Sequence, residues 1–71
     1  MKEKDSLIYD LIFSEKTEFK INVADYVQDI YKYEDFINEI RLILKKSKVT
    51  IHSTQVLITD VSVVWQLKVS K

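Results

Sequence analysis

The chain has 71 residues, 46% hydrophobic and 31% charged, with eleven basic and eleven acidic residues, a balance typical of a folded globular domain. It contains no cysteine, glycine or proline, which excludes disulfides, thiolate zinc sites and glycine-rich phosphate-binding loops. A chain this short buries about 60% of the surface that its unfolded form exposes, so we expect one domain over residues 1–71 with one small core.

The first predicted feature is a β-hairpin. Residues 7–13 form an apolar run that alternates as a strand, and residues 18–23 alternate again. The polar residues 14–17 between them have the length of a four-residue hairpin turn. One face of the first strand would carry Leu7, Tyr9, Leu11 and Phe13.

An amphipathic helix over residues 31–46 is the clearest pattern in the chain. Its apolar positions recur at intervals of three and four residues, as one face of a helix requires, and they are Tyr33, Phe36, Ile37, Ile40, Ile43 and Leu44. Two starts fit the sequence. Asp25 and Gln28 have capping-box spacing, which favours a start near Tyr26, and Asp29 is an alternative N-cap.

After the helix the hydrophobic period changes to two, which predicts strands. Residues 49–52 and 56–58 are separated by the polar residues 53–55, which form either a turn or a bulge. A turn at residues 59–60 then precedes a long alternating strand over residues 61–70.

Together these elements predict an α+β fold: a small antiparallel β-sheet, in the order ββαββ or ββαβββ, with one amphipathic helix packed on one face. Trp65 lies between Val63 and Leu67 in phase with the inward face, so we expect it in the core. A stacking platform for single-stranded nucleic acid would need that face to be basic and open to solvent. The apolar neighbours of Trp65 on that face argue against such a role.

Few residues in the chain could carry catalysis. His52 is the single histidine, and one histidine without any cysteine would leave a metal site without most of its usual ligands. Glu34, Asp35 and Glu39 lie on the outer side of the predicted helix, where no cleft is expected for acid–base chemistry. No sequence motif for a nucleophile or a metal-bound water is present. We therefore expect no enzyme, no metal and no cofactor.

The charges are unevenly distributed, with a net charge of −5 over residues 1–40 and +5 over residues 41–71. Tyrosines alternate with acids around the start of the helix, and this combination is typical of a surface that steers and binds a basic partner. The predicted partner-binding residues are Asp25, Tyr26, Asp29, Tyr31, Glu34 and Asp35. The alternative is that Tyr26 and Tyr33 anchor the helix to the sheet while Tyr31 is only exposed.

A nucleic-acid-binding surface is the alternative in the basic half of the chain. Its candidate residues are Arg41, Lys45, Lys46, Lys48, Lys68 and Lys71. The five lysines among them would gather if the end of the helix lies near the end of the last strand. The zero net charge opposes this interpretation, because nucleic-acid-binding domains are usually basic overall.

We interpret the chain as a non-enzymatic protein-binding module that acts on a larger protein. In size and composition alone it resembles small inhibitors and regulators carried by phages or mobile elements, including those that block host defence nucleases. The alternatives are the nucleic-acid-binding module and a self-assembling structural subunit. The polar N-terminal residues and the absence of a long apolar stretch predict no signal peptide, no membrane segment and a cytoplasmic, intracellular location.

Self-association is also expected. A sheet of four strands is wider than one helix, and both of its faces would carry apolar residues, with Ile8 and Ile12 on the uncovered face. Closing that face against a second copy would give a two-fold homodimer. The alternative is a monomer in which sheet twist and lysine stems cover these residues.

Overall fold

The structure is a computed structural model that describes residues 2–71. It contains two α-helices and one antiparallel sheet of three strands, which confirms the predicted α+β class. The elements in chain order are helix α1 (Lys4–Phe13), strand β1 (Glu18–Asn22), helix α2 (Tyr33–Lys46), strand β2 (Thr50–Ile58) and strand β3 (Val63–Ser70). Two short 3-10 turns, Val23–Asp25 and Ile30–Lys32, lie between β1 and α2.

The predicted first strand is wrong, because residues 7–13 belong to α1. Leu7 and Leu11 lie one helical turn apart and are both buried. Tyr9 and Phe13, one turn apart on the exposed side, have ring centroids 4.8 Å apart. Residues 14–17 therefore link a helix to a strand and form no hairpin, and the order is αβαββ instead of ββαββ or ββαβββ.

The sheet has the order β1-β3-β2, so the last strand in the chain is its centre. Trp65 of β3 faces Ile21 of β1 and Val56 of β2 in the antiparallel register. Its side chain is fully buried, and its Nε1 donates a hydrogen bond to Thr54 Oγ1 at 2.7 Å. The prediction that Trp65 belongs to the core is confirmed.

Strand β2 is continuous, so the predicted break at residues 53–55 does not end it. The register slips between Ile51 and Ser53, where His52 is the extra residue of a β-bulge. The hairpin that follows closes with a hydrogen bond of 2.8 Å from the Thr59 amide to the Ser62 carbonyl. Val61 lies in this turn and is exposed, so the last strand begins later than the predicted residue 61.

Helix α2 confirms the predicted apolar stripe. Its buried residues are Phe36, Ile40 and Leu44, and Tyr33 and Ile37 pack partly against the same core. Asp29 precedes the helix and accepts a hydrogen bond of 2.9 Å from the Tyr31 amide at Oδ1, which starts the 3-10 turn that runs into α2. The alternative start near Tyr26 is wrong, because Tyr26 lies before this turn.

Helix α2 ends in a Schellman motif without glycine. The Val49 amide donates to the Leu44 carbonyl at 2.9 Å, and the Lys48 amide donates to the Lys45 carbonyl at 3.2 Å. Both Val49 and Leu44 are buried, which supplies the apolar contact that accompanies the motif. Lys48 takes the left-handed position, with φ of 63°, where glycine is the usual residue.

Both helices cover the same face of the sheet. Trp65, Leu67 and Val69 alternate along β3 and share one buried cluster with residues of α1 and α2. The opposite face carries mostly polar side chains, among them Gln55, Gln66, Lys68 and Ser70, with Leu57 facing Val64 as an apolar pair. The premise of the predicted face-to-face homodimer is therefore wrong, since Ile8 and Ile12 belong to α1 and pack partly against the core.

Candidate protein-binding surfaces

The predicted acidic–tyrosine segment, residues 25–35, lies between β1 and the first turn of α2. The side chain of Asp29 fixes the 3-10 turn by accepting from the Tyr31 amide. Ile30 and Tyr31 in that turn are 66% and 89% exposed. The turn, which is stabilised by its own hydrogen bond, thus exposes two large side chains to solvent.

The structure separates the six predicted residues into two groups. Tyr26 is half-buried and stacks on Phe36, with ring centroids 5.6 Å apart and an angle of 18° between the planes. Asp25 lies 3.3 Å from Lys2, measured from Oδ2 to Nζ. Tyr26 therefore anchors α2, as the structural alternative expected. The exposed group, which we call the acidic knob, consists of Asp29, Tyr31, Glu34 and Asp35.

The acidic knob has an unbalanced charge. Across residues 2–71, no ion pair involves Asp29, Glu34 or Asp35. Glu34 and Asp35 lie in the first turn of α2, where carboxylates also compensate the positive end of the helix dipole. Lys32 is the one basic residue between Asp29 and Asp35, so the surface around Tyr31 carries a net negative charge.

The predicted basic residues do not form one surface. Arg41, Lys45 and Lys48 line a groove of about 660 Å³ between α2 and the start of β2, together with the apolar Leu42 and Ile51. We call these three basic residues and the groove that they line the basic groove.

Lys46 is exposed in the last turn of α2, next to Lys45, and Lys68 and Lys71 have other partners. Lys68 is on the outer face of the sheet, with its Nζ 3.5 Å from Glu18 Oε1. Lys71 Nζ donates to the carbonyls of Ser14 and Lys16 and lies 5.5 Å from the centre of the Phe19 ring. The structure therefore brings three of the six candidate residues into one groove, and the side chains of Lys68 and Lys71 contact other partners.

Strand β2 forms a further exposed surface that the sequence did not indicate. Among residues 2–71, β2 pairs with β3 alone, so its other edge is free. Val56 and Leu57 are partly exposed there, and Ile58 is 76% exposed. An uncharged run of three apolar residues predicts a strand, but nothing within the run distinguishes an edge strand from a central one.

The single histidine is exposed on the outer face of the sheet, where His52 Nε2 and Ser70 Oγ are 2.7 Å apart. Within residues 2–71, no group of three or more His, Asp or Glu side chains lies close enough to hold a metal ion. No helix in the same range has the length and apolar character needed to cross a membrane.

Comparisons with known proteins add no relative. No protein-family model, no curated protein and no solved structure matches this chain.

Proposed function

We propose that the chain is a non-enzymatic protein-binding module that docks on a basic surface of a larger protein through the acidic knob. The observation that carries the proposal is Tyr31, 89% exposed beside three carboxylates that have no ion pair within residues 2–71. Tyrosine is enriched among residues that dominate binding energy, because it offers a large rigid contact area and a polar end.

The geometry of the turn supports this role. The hydrogen bond from the Tyr31 amide to Asp29 fixes the backbone before any partner arrives, which lowers the entropy lost on binding. The carboxylates of Glu34 and Asp35 would accelerate the encounter with a basic surface and orient it.

The class of partner that fits best is a protein that handles nucleic acid, such as a nuclease. Such proteins neutralise phosphates with lysine and arginine side chains, so their substrate-binding surface is complementary to a compact group of carboxylates. A small module bound there would compete with the substrate and act as an inhibitor or regulator.

The test is capture of the partner from a lysate of the native host, followed by affinity measurements on the purified pair. We expect Tyr31→Ala to weaken binding at least about tenfold, as for a central interface tyrosine, and to leave the melting temperature unchanged. Tyr9→Ala is the matched control, because Tyr9 is also an exposed tyrosine but lies on α1. Equal affinities of the two variants would contradict the proposal.

A nucleic-acid-binding role is the second candidate, and the basic groove is the observation that favours it. Arg41, Lys45 and Lys48 form no ion pair within the described residues, so three cations are free to meet phosphates. Three cations are few for a nucleic-acid-binding surface, and the salt dependence of any DNA binding tests this role.

A further inference from the structure

We propose that two copies of the chain pair their β2 strands in antiparallel fashion across a two-fold axis, which joins two three-stranded sheets into one sheet of six strands. The occupant of the free β2 edge is thus a second copy of this chain. The inference is independent of the acidic knob, which lies between β1 and α2.

The direction of the backbone groups along β2 follows from the hairpin. The Thr59 amide donates to the Ser62 carbonyl, so residues 59 and 62 form a hydrogen-bonded pair. Such pairs alternate along an antiparallel ladder, and residues 57, 55 and 53 therefore point their amides and carbonyls towards β3. The amides and carbonyls of Thr54, Val56 and Ile58 point to the free edge.

These three residues allow a self-complementary register. With Val56 facing Val56 of the second copy, Thr54 faces Ile58 in both directions, and the three facing pairs can form about six interchain hydrogen bonds. The side chains of Thr54, Val56 and Ile58 lie on the helix-covered side of the sheet, as that of Trp65 does. Pairing would cover Val56 and Ile58, which the single chain leaves exposed.

The charge pattern favours a second copy over a charged partner. Residues 53–58 contain no charged residue and no proline, so no like charges face each other in the symmetric register. Charged residues, prolines or bulges usually protect natural edge strands from pairing with another chain. The bulge at His52 limits regular pairing to the segment that follows it.

The opposite edge of the sheet explains why the assembly would stop at two copies. Strand β1 has five residues, and its register with β3 directs the amides of Glu18 and Lys20 to solvent. Charged residues on a short strand oppose pairing. With only one available edge, β2 pairing gives a closed two-fold dimer and no filament.

The first experiment measures mass by light scattering after size exclusion, at tens of micromolar. We expect the wild-type mass to correspond to two chains, and Val56→Lys to shift it to one chain, since two lysines would then face each other across the axis. Val61→Lys is the matched control and should remain dimeric, because Val61 lies in the turn outside the register and is 92% exposed.

The second experiment tests the register without a destabilising charge. The chain has no cysteine, so Val56→Cys should form an interchain disulfide under mild oxidation, because the two residues face each other. Leu57→Cys should cross-link at least about tenfold more slowly, because it faces Gln55 of the second copy. A wild-type mass of one chain that does not change up to hundreds of micromolar, or faster cross-linking of Leu57→Cys, would overturn the proposal.

Discussion

Lys48 shows how a chain without glycine ends a helix. The left-handed conformation at φ of 63° brings the Cβ of an L-residue close to its own backbone, which costs roughly 1 kcal/mol relative to glycine. Two hydrogen bonds and the burial of Val49 against the core hold the chain in this conformation. Strain of this kind persists only where the surrounding structure fixes it, and here the residue also lines the basic groove.

We therefore expect Lys48→Gly to raise the free energy of unfolding by about 0.5–1 kcal/mol, since the relief of strain exceeds the extra entropy of glycine in the unfolded chain. Urea titration followed by circular dichroism measures this. Arg41→Gly, at an exposed position in the interior of α2, is the control and should lower the same quantity by about 1 kcal/mol. A loss of stability in Lys48→Gly would mean that the lysine side chain contributes more than its backbone costs.

The hydrogen bond between Thr54 and Trp65 can be tested with a single substitution. Thr54→Val keeps the shape and the preference for strand but leaves the Trp65 indole N–H without its acceptor. The expected loss is about 1–2 kcal/mol of unfolding free energy. Thr54→Ser retains the hydroxyl and should lose less, so equal losses in thermal melts would indicate that the methyl group matters and the hydrogen bond does not.

Helix α1 shows why a short apolar run is ambiguous. Residues 7–13 satisfy a period of two, but they also contain three pairs at a spacing of four, namely Leu7 with Leu11, Ile8 with Ile12, and Tyr9 with Phe13. The core selects the helix, because α1 can then bury both leucines beside α2. Lys4 also reaches Glu39 of α2, with 2.6 Å between Nζ and Oε1.

The two interpretations of this segment differ in where Tyr9 lies. In a strand it would share the inward face with Leu11, and in the helix it is exposed. We expect Leu11→Ala to lower the unfolding free energy by about 2–4 kcal/mol, since the side chain is fully buried. Tyr9→Ala should lower it by less than about 1 kcal/mol. Comparable losses in urea titrations would favour the strand.

Other elements were predictable because only one periodicity fits them. The stripe of α2 and the alternation around Trp65 each satisfy a single kind of element, and both are confirmed. The bulge at His52 and the edge position of β2 depend on which strands pair, which no local pattern encodes. The sequence left open whether Tyr26 binds a partner or anchors the helix, because its contact with Phe36 depends on how the chain packs before α2.

The fold as a whole divides the positive charge of residues 41–71. The side chains of Lys68 and Lys71 contact other partners, and Arg41, Lys45 and Lys48 line one groove. A phosphate-bearing ligand bound in this groove would therefore meet three cations.

We expect any binding of duplex DNA to weaken with salt, with a slope of log K against log salt concentration no steeper than about −3. Lys45→Ala should reduce this slope by about 1, and Lys68→Ala should leave it unchanged. Fluorescence anisotropy of a labelled duplex at several salt concentrations measures both. A much steeper slope would mean that the separated lysines also contact phosphates.

The position of β3 has a consequence for synthesis on the ribosome. The centre of the sheet is the last strand in chain order, so β1 and β2 have no strand to pair with until residues 63–70 have left the exit tunnel. Until then, the apolar side chains of α2 and of residues 50–58 remain exposed to water, because no sheet is present to cover them. Formation of the sheet is thus confined to the period after residues 63–70 have emerged, and until then the exposed apolar segments can be bound by chaperones.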